Sequence, residues 1–174
     1  MTKKYVLTGG PCCGKTTLIN ELANAGYFVL GEVARGVIEQ RKDMPLDYQE
    51  HFTRQTLIFD CQVKLEEKIS GDFAFLDRGI FDNFAYQMHL LGKVIPSQIE
   101  LAKNHPRYDK VFVLERLPFE NDGLRIEKGD DEAQKLHDLI FQQYESFGYH
   151  PISIPVMSIQ DRVDFILNHV GGKR

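Results

Sequence analysis

"YVLTGGPCCGKTTLINELA", residues 5–23, is the stretch that decides the fold. An apolar run leads into a turn of small and rigid residues, and a run with apolar positions at helical spacing follows. Gly9, then Gly14, Lys15 and Thr16, fit the spacing GxxxxGK[ST] in full, with a strand before and a helix after as the motif requires. A loop that wraps backbone N–H groups around an anion needs conformations that glycine reaches without steric cost. The helix starting near Gly14 points the positive end of its dipole at the same place. Lys15 adds a mobile charge for β- and γ-phosphates, and the Thr16 hydroxyl is a candidate ligand for Mg²⁺.

The expected nucleotide-binding residues are therefore Gly9, Gly10, Pro11, Cys12, Cys13, Gly14, Lys15, Thr16 and Thr17. Cys12 and Cys13 fill variable positions, where backbone N–H groups serve the phosphates and the thiols need take no part; a redox role near the positive helix end is the alternative. They are poor partners for each other, since adjacent Cα atoms stand only about 3.8 Å apart.

Outward from the loop, the 174 residues suggest one domain, residues 1–174. A net charge of −4 disfavours a large nucleic-acid surface, so no nucleic-acid partner is expected. No apolar run has the length of a bilayer span, and the one after Lys3 and Lys4 is too short for a secretory signal. The expectation is a cytoplasmic protein without membrane association. Three cysteines and six scattered histidines give neither a disulfide framework nor a zinc ligand set.

Strand-length and helix-length runs alternate. Strands are predicted at Lys4 to Thr8, Tyr27 to Leu30, Phe73 to Asp77, "KVFVLE" and "ISIPV". Helices are predicted at Thr16 to Ala25, Val33 to Arg41, Tyr48 to Ile69 with a stripe of Ile58, Cys61, Leu65 and Ile69, from Ile80 to Leu91, and after Pro96. Leu136, Ile140, Tyr144 and Phe147 mark another helix, and Ser158 with Asp161 caps the last. The stretch Arg116 to Asp131 is polar and without period, and reads as a loop or lid. Alternation of this kind builds a parallel sheet of five strands covered on both faces, a three-layer α/β domain. Ligands in such sheets bind beyond the carboxyl ends of the strands.

Four other groups fall at that edge. Asp77 ends the third strand, where a carboxylate can hold Mg²⁺ through water or orient an attacking group. Arg78 follows it and can meet a phosphate with two parallel bonds. Glu32 follows the second strand, where it can accept the proton of a substrate hydroxyl or serve as a first-turn acid. Arg35 can pair with Glu32 or bind substrate. Arg116 and Arg125 lie in the lid-like stretch, about 116–131, where closure would bring positive charge to a transferring group and exclude water.

The loop, "GEVARG", "FLDRGIFDNFAY", "ENDGLRIE" and "YHPISIPVMSIQDRVDFIL" together resemble the small P-loop "AAA domain" group of predicted ATPases, which includes ribosylnicotinamide kinase-like domains. More distantly the chain resembles deoxynucleoside and thymidylate kinases, although Val33 follows Glu32 where those enzymes carry proline. The resemblance runs along nearly the whole chain. It implies a P-loop kinase-like fold with strand order 2-3-1-4-5, and Mg-ATP held by Gly9 to Thr17. It places Glu32, Asp77 and Arg78 around an acceptor pocket and Arg125 in the lid. The expected function is transfer of the γ-phosphoryl group of ATP to a small nucleoside- or nucleotide-like acceptor. The alternative is a nucleotide-binding switch or slow ATPase acting through a protein partner. The chain carries no NKxD motif, which disfavours an ordinary GTPase.

Overall fold

Every strand of the sheet runs in the same direction, because a helical stretch carries the chain back across one face before the next strand begins. The computed structural model describes residues 2–118 and 129–171. Its elements follow in the order β1 (Lys3–Thr8), α1 (Lys15–Asn24), β2 (Val29–Leu30), α2 (Val33–Gln40), α3 (Tyr48–Glu67), β3 (Phe73–Asp77), α4 (Ile80–Leu91), α5 (Pro96–Asn104), β4 (Lys110–Leu114), α6 (Asp130–Ser146), β5 (Ile152–Ile154) and α7 (Ile159–Val170). The sheet order is β2-β3-β1-β4-β5, all parallel, as the resemblance implies.

Alternation along the strands divides the core in two. Val6, Leu76 and Val113 face Phe59 of α3, Phe84 of α4 and Ile140 of α6. Tyr5, Leu7 and Phe112 face Leu18 and Leu22 of α1 and Ile166 of α7. The register sets Leu7 beside both Asp77 and Phe112, so β1, β3 and β4 end at one edge.

Several expected boundaries shift, each for a local reason. The second strand shrinks to Val29–Leu30 because the Tyr27 N–H bonds Leu22 O at 3.1 Å and closes the end of α1. The fifth stops at Ile154 because Pro155 has no N–H to donate. Asp130 and Asp131, read as loop, open α6, where acids suit the helix N-terminus. Residues 119–128, the centre of the expected lid, lie outside the described residues.

The stripe expected on α3 is corrected in part: Ile58 is buried and Ile69 packs against the core, but the other two positions differ. Leu65 is exposed and Cys61 only half-buried, while Glu50, Arg54, Gln62 and Glu66 are buried beside Ile58 and Phe59. Polar side chains can turn inward when they satisfy one another. Arg54 Nε donates to Glu50 Oε1 at 2.7 Å, and Gln62 Nε2 donates to Glu66 Oε1 at 2.8 Å. That polar face is the first sign that α3 borders a site.

Candidate active site

The turn from β1 into α1 is held from outside by its carbonyls. Gly9 O accepts from Arg78 Nη1 at 3.4 Å and Pro11 O from Arg116 Nε at 3.3 Å. Cys12 O accepts from Leu117 N at 2.7 Å, Cys13 O from Arg162 Nη1 at 2.5 Å, and Gly14 O from Leu18 N at 3.2 Å. These bonds occupy the carbonyls of residues 9 and 11–14 and fix the orientation of the loop's peptide planes. No side chain caps α1, so the first N–H groups of the helix are open to a ligand. Gly9 sits at φ 145° with Leu114 O only 2.7 Å from where a Cβ would stand, and Gly14 sits at φ 77°. Both positions require glycine.

Lys15 is buried, and its ammonium pairs with Asp77 Oδ1 at the end of β3. Thr16 and Thr17 are exposed on the first turn of α1. Thr16 and Asp77 offer hard oxygens beside the loop, the donor type that suits Mg²⁺. Among the described residues no group of three His, Cys, Asp or Glu side chains gathers for a metal. An ion held by Thr16 and Asp77 would need its other ligands from phosphate and water, a pattern Mg²⁺ accepts.

Arg78 is the hub. Its backbone lies at φ 74°, a left-handed conformation unusual for a long side chain, and its own N–H bonds Leu7 O at 3.0 Å. The guanidinium reaches Glu32 Oε1 and Asp82 Oδ1, each at 3.1 Å. Asp82 is braced in turn by Gly79 N at 3.0 Å, Tyr144 OH at 2.6 Å and the Thr8 hydroxyl. Asp82 is not among the residues expected at the site; its spacing three residues after Gly79, at the start of a helix, is a capping signature.

Glu32 precedes α2 and takes a second bond, from Arg35 Nε at 3.0 Å. Of the two roles open to Arg35, the structure shows pairing with Glu32. Burial pushes the Glu32 carboxyl up, but the charges of Arg78 and Lys15 and the bonds from Arg35 and Arg78 outweigh it and hold the group at about 2.

A cavity of about 560 Å³ runs from residues 10–17 of the loop, past Glu32 and Arg78, into a chamber between α2, α3 and α4. Ile38, His51, Ile58 and Tyr86 line it together with the amides of Gln55 and Asn83. Asn83 Nδ2 donates to Gln55 Oε1 at 2.8 Å; Gln87 links Asn83 to Gln98, and its Oε1 accepts from Ile95 N at 2.7 Å. None of these amides was singled out in the sequence, since isolated Gln and Asn carry no spacing signature. Arg54 meets Glu50, which also receives a forked pair from Arg41 at 2.7 and 2.6 Å.

Arg116 does not line the cavity. Its guanidinium faces Pro11 O and the start of α6, with Nη2 2.6 Å from Asp130 Oδ1, so it braces the outer side of the loop. Arg125 lies outside the described residues. His137 of α6, another residue the sequence did not mark, accepts the Gly10 N–H on Nδ1 at 3.1 Å.

A family model described as "AAA domain" matches residues 4–162. Among solved structures, deoxyadenosine kinase from M. mycoides, with dCMP and dCDP bound, aligns at TM-score 0.68 and 17% identity over 97% of this chain and 98% of that one. NadR protein in complex with NR aligns at TM-score 0.74 and 17% identity over 99% of this chain but 52% of that one, so the chain spans about half of NadR. YorR protein from Bacillus subtilis, in complex with phosphorylated GDP, aligns at TM-score 0.64 and 18% identity over 97% and 96%. At such identities the likeness is one of fold. No curated protein matches the chain.

Proposed function

The chain belongs to the AAA domain family, and from that premise we propose that it is a kinase that moves the γ-phosphoryl group of ATP to a hydroxyl of an uncharged, nucleoside-like acceptor. One observation carries the proposal: a single cavity joins the loop to a second, polar-walled chamber, with Glu32 and Arg78 at the junction. A nucleotide switch or slow ATPase needs no such chamber.

The charge pattern of the chamber selects the acceptor. Recognition of a monophosphate calls for a guanidinium ready to make paired bonds. Among the described lining residues, Arg35 and Arg78 face Glu32, Arg78 also faces Asp82, and Arg54 faces Glu50. The amides of Gln55 and Asn83 suit a neutral polar ligand. The likeness in fold to a deoxyadenosine kinase and to NadR bound to NR supports the same class.

In this reading the triphosphate lies on the N–H groups at the head of α1, and Lys15 leaves Asp77 for the β- and γ-phosphates. Mg²⁺ on Thr16 and Asp77 would neutralise charge on the same oxygens. Glu32 receives the acceptor hydroxyl. A carboxylate held at about 2 is a weak base, but the loose transition state of phosphoryl transfer asks little of one. Its main task is orientation, with the proton accepted late. Arg78 stabilises the charge between the two substrates.

The test is equilibrium binding in the presence of a non-hydrolysable ATP analogue and Mg²⁺. Some nucleoside is expected to bind at least tenfold more tightly than its own 5′-monophosphate. A panel in which monophosphates bind more tightly than nucleosides contradicts the reading.

A further inference from the structure

Arg162 stands on α7, on the far side of the loop from the acceptor chamber, and no reaction step above uses it. It is 3% exposed. Nη1 donates to Cys13 O at 2.5 Å and Nε to Pro155 O at 3.3 Å, while Nη2 is buried with no partner. Among the described residues no carboxylate pairs with it; its partners are two carbonyls. A buried guanidinium is costly when no opposite charge accompanies it. Carbonyl dipoles offset part of that cost and leave the net charge in place.

The position of that charge is informative. Nη1 lies 3.3 Å from where a Cβ of Gly14 would stand, directly behind the start of α1. Cys13 C=O and Gly14 N–H are the two ends of one peptide group. A charged donor on the oxygen draws electron density from the nitrogen and makes its N–H a stronger donor in turn. That N–H belongs to the phosphate cradle, so the charge reaches the ligand through a peptide plane as well as through space.

We infer that Arg162 is a positioning residue for polyphosphate: it fixes the Cys13–Gly14 peptide from behind, and the bound phosphates are its missing counter-charge. This rests on the reading of the loop as a phosphate site. It also assigns a second reason for glycine at position 14, where any side chain would press on the guanidinium.

The experiment is calorimetric titration of Mg-ATP, Mg-ADP and inorganic tripolyphosphate into wild type, Arg162→Met, Arg162→Gln and Arg162→Lys, at low and high salt. Loss of the charge is expected to weaken ATP and tripolyphosphate about tenfold, and ADP less. The Met and Gln variants should also show a shallower salt dependence, and Arg162→Lys should stay within about threefold of wild type. A purely structural role gives the same loss for every ligand, or none, and either result overturns the inference. Should Arg162→Met fail to fold, the contrast between Gln and Lys decides it. Wild type that binds no triphosphate sinks the phosphate site itself; wild type and variants that bind equally sink only the role of Arg162.

Discussion

Arg78 Nε donates to Glu32 Oε1 at 3.1 Å, and so ties the end of β3 to the start of α2 across the mouth of the phosphate loop. In the proposed reaction the bond joins the residue assigned to the transferring group to the one assigned to the acceptor. It also costs backbone strain, since Arg78 sits at φ 74°.

Glu32→Gln should lower the transfer rate by about a hundredfold at saturating acceptor, with Mg-ATP affinity little changed. Steady-state kinetics in both substrates check this, and an unchanged rate removes Glu32 from the chemistry. The carboxyl is held at about 2 against an ordinary 4.5, so its folded-state value is depressed. Its contribution to stability is complete above about pH 4.5 and is lost as pH falls toward 2. Between pH 5 and 7 Glu32 stays ionised and adds no acid limb to the rate profile.

The buried Lys15–Asp77 pair predicts coupling. Asp77→Asn leaves an ammonium in the interior without its partner and should destabilise the ligand-free protein by about 3 kcal/mol. The double variant Lys15→Met, Asp77→Asn should lose less than the sum of the single changes. Urea unfolding of the four proteins measures the difference, and strict additivity argues against a coupled pair.

Gly79→Ala should destabilise by about 2 kcal/mol. A Cβ there would stand 2.8 Å from the hydroxyls of both Tyr108 and Tyr144. Those hydroxyls hold Ile80 N and Asp82, so the substitution should also loosen Arg78. Denaturant melts and the affinity for Mg-ATP report the two effects, and a neutral result in both would show that the contact has room to yield.

His105 gives the fold a dependence on pH. Burial first and the nearby Lys4 second bring its ring down to about 4, with a bond to the Pro106 backbone opposing. Lys4, Glu66 and the Tyr108 ring surround it, with Nε2 3.3 Å from Glu66 Oε2. The unfolded chain takes up the proton first, so stability is full above about pH 6.5 and declines as pH falls toward 4. The loss from this group between pH 7 and 5 should be about 2 kcal/mol. His105→Gln should flatten that slope, and curves that stay parallel would assign it elsewhere.

The parts of this fold that were legible in the sequence are those with a spacing signature. Gly9 to Thr16 fixed the first strand, loop and helix together, and alternation of strand and helix fixed the parallel sheet. Asp77, Arg78 and Glu32 could be placed at one edge because each follows a strand. The wall of the second chamber could not be read in this way. On α3 the hydropathy pattern points to Leu65, which is exposed, whereas the buried face is built from Arg54, Gln55, Gln62 and Glu66. Such residues turn inward because partners meet them, some one helical turn away, as Glu50 meets Arg54, and others far along the chain, as Asn83 meets Gln55 and Tyr108 meets Glu66. His137 and Arg162 reach the loop from 127 and 149 residues away. No local pattern records an encounter of that kind.

The most direct measurement is the fate of the γ-phosphorus of ATP. With labelled ATP, Mg²⁺ and a panel of nucleosides beside the matching monophosphates, label is expected on a hydroxyl of at least one nucleoside, abolished by Lys15→Met. Label that appears only as inorganic phosphate, or only on monophosphates, contradicts the proposed transfer.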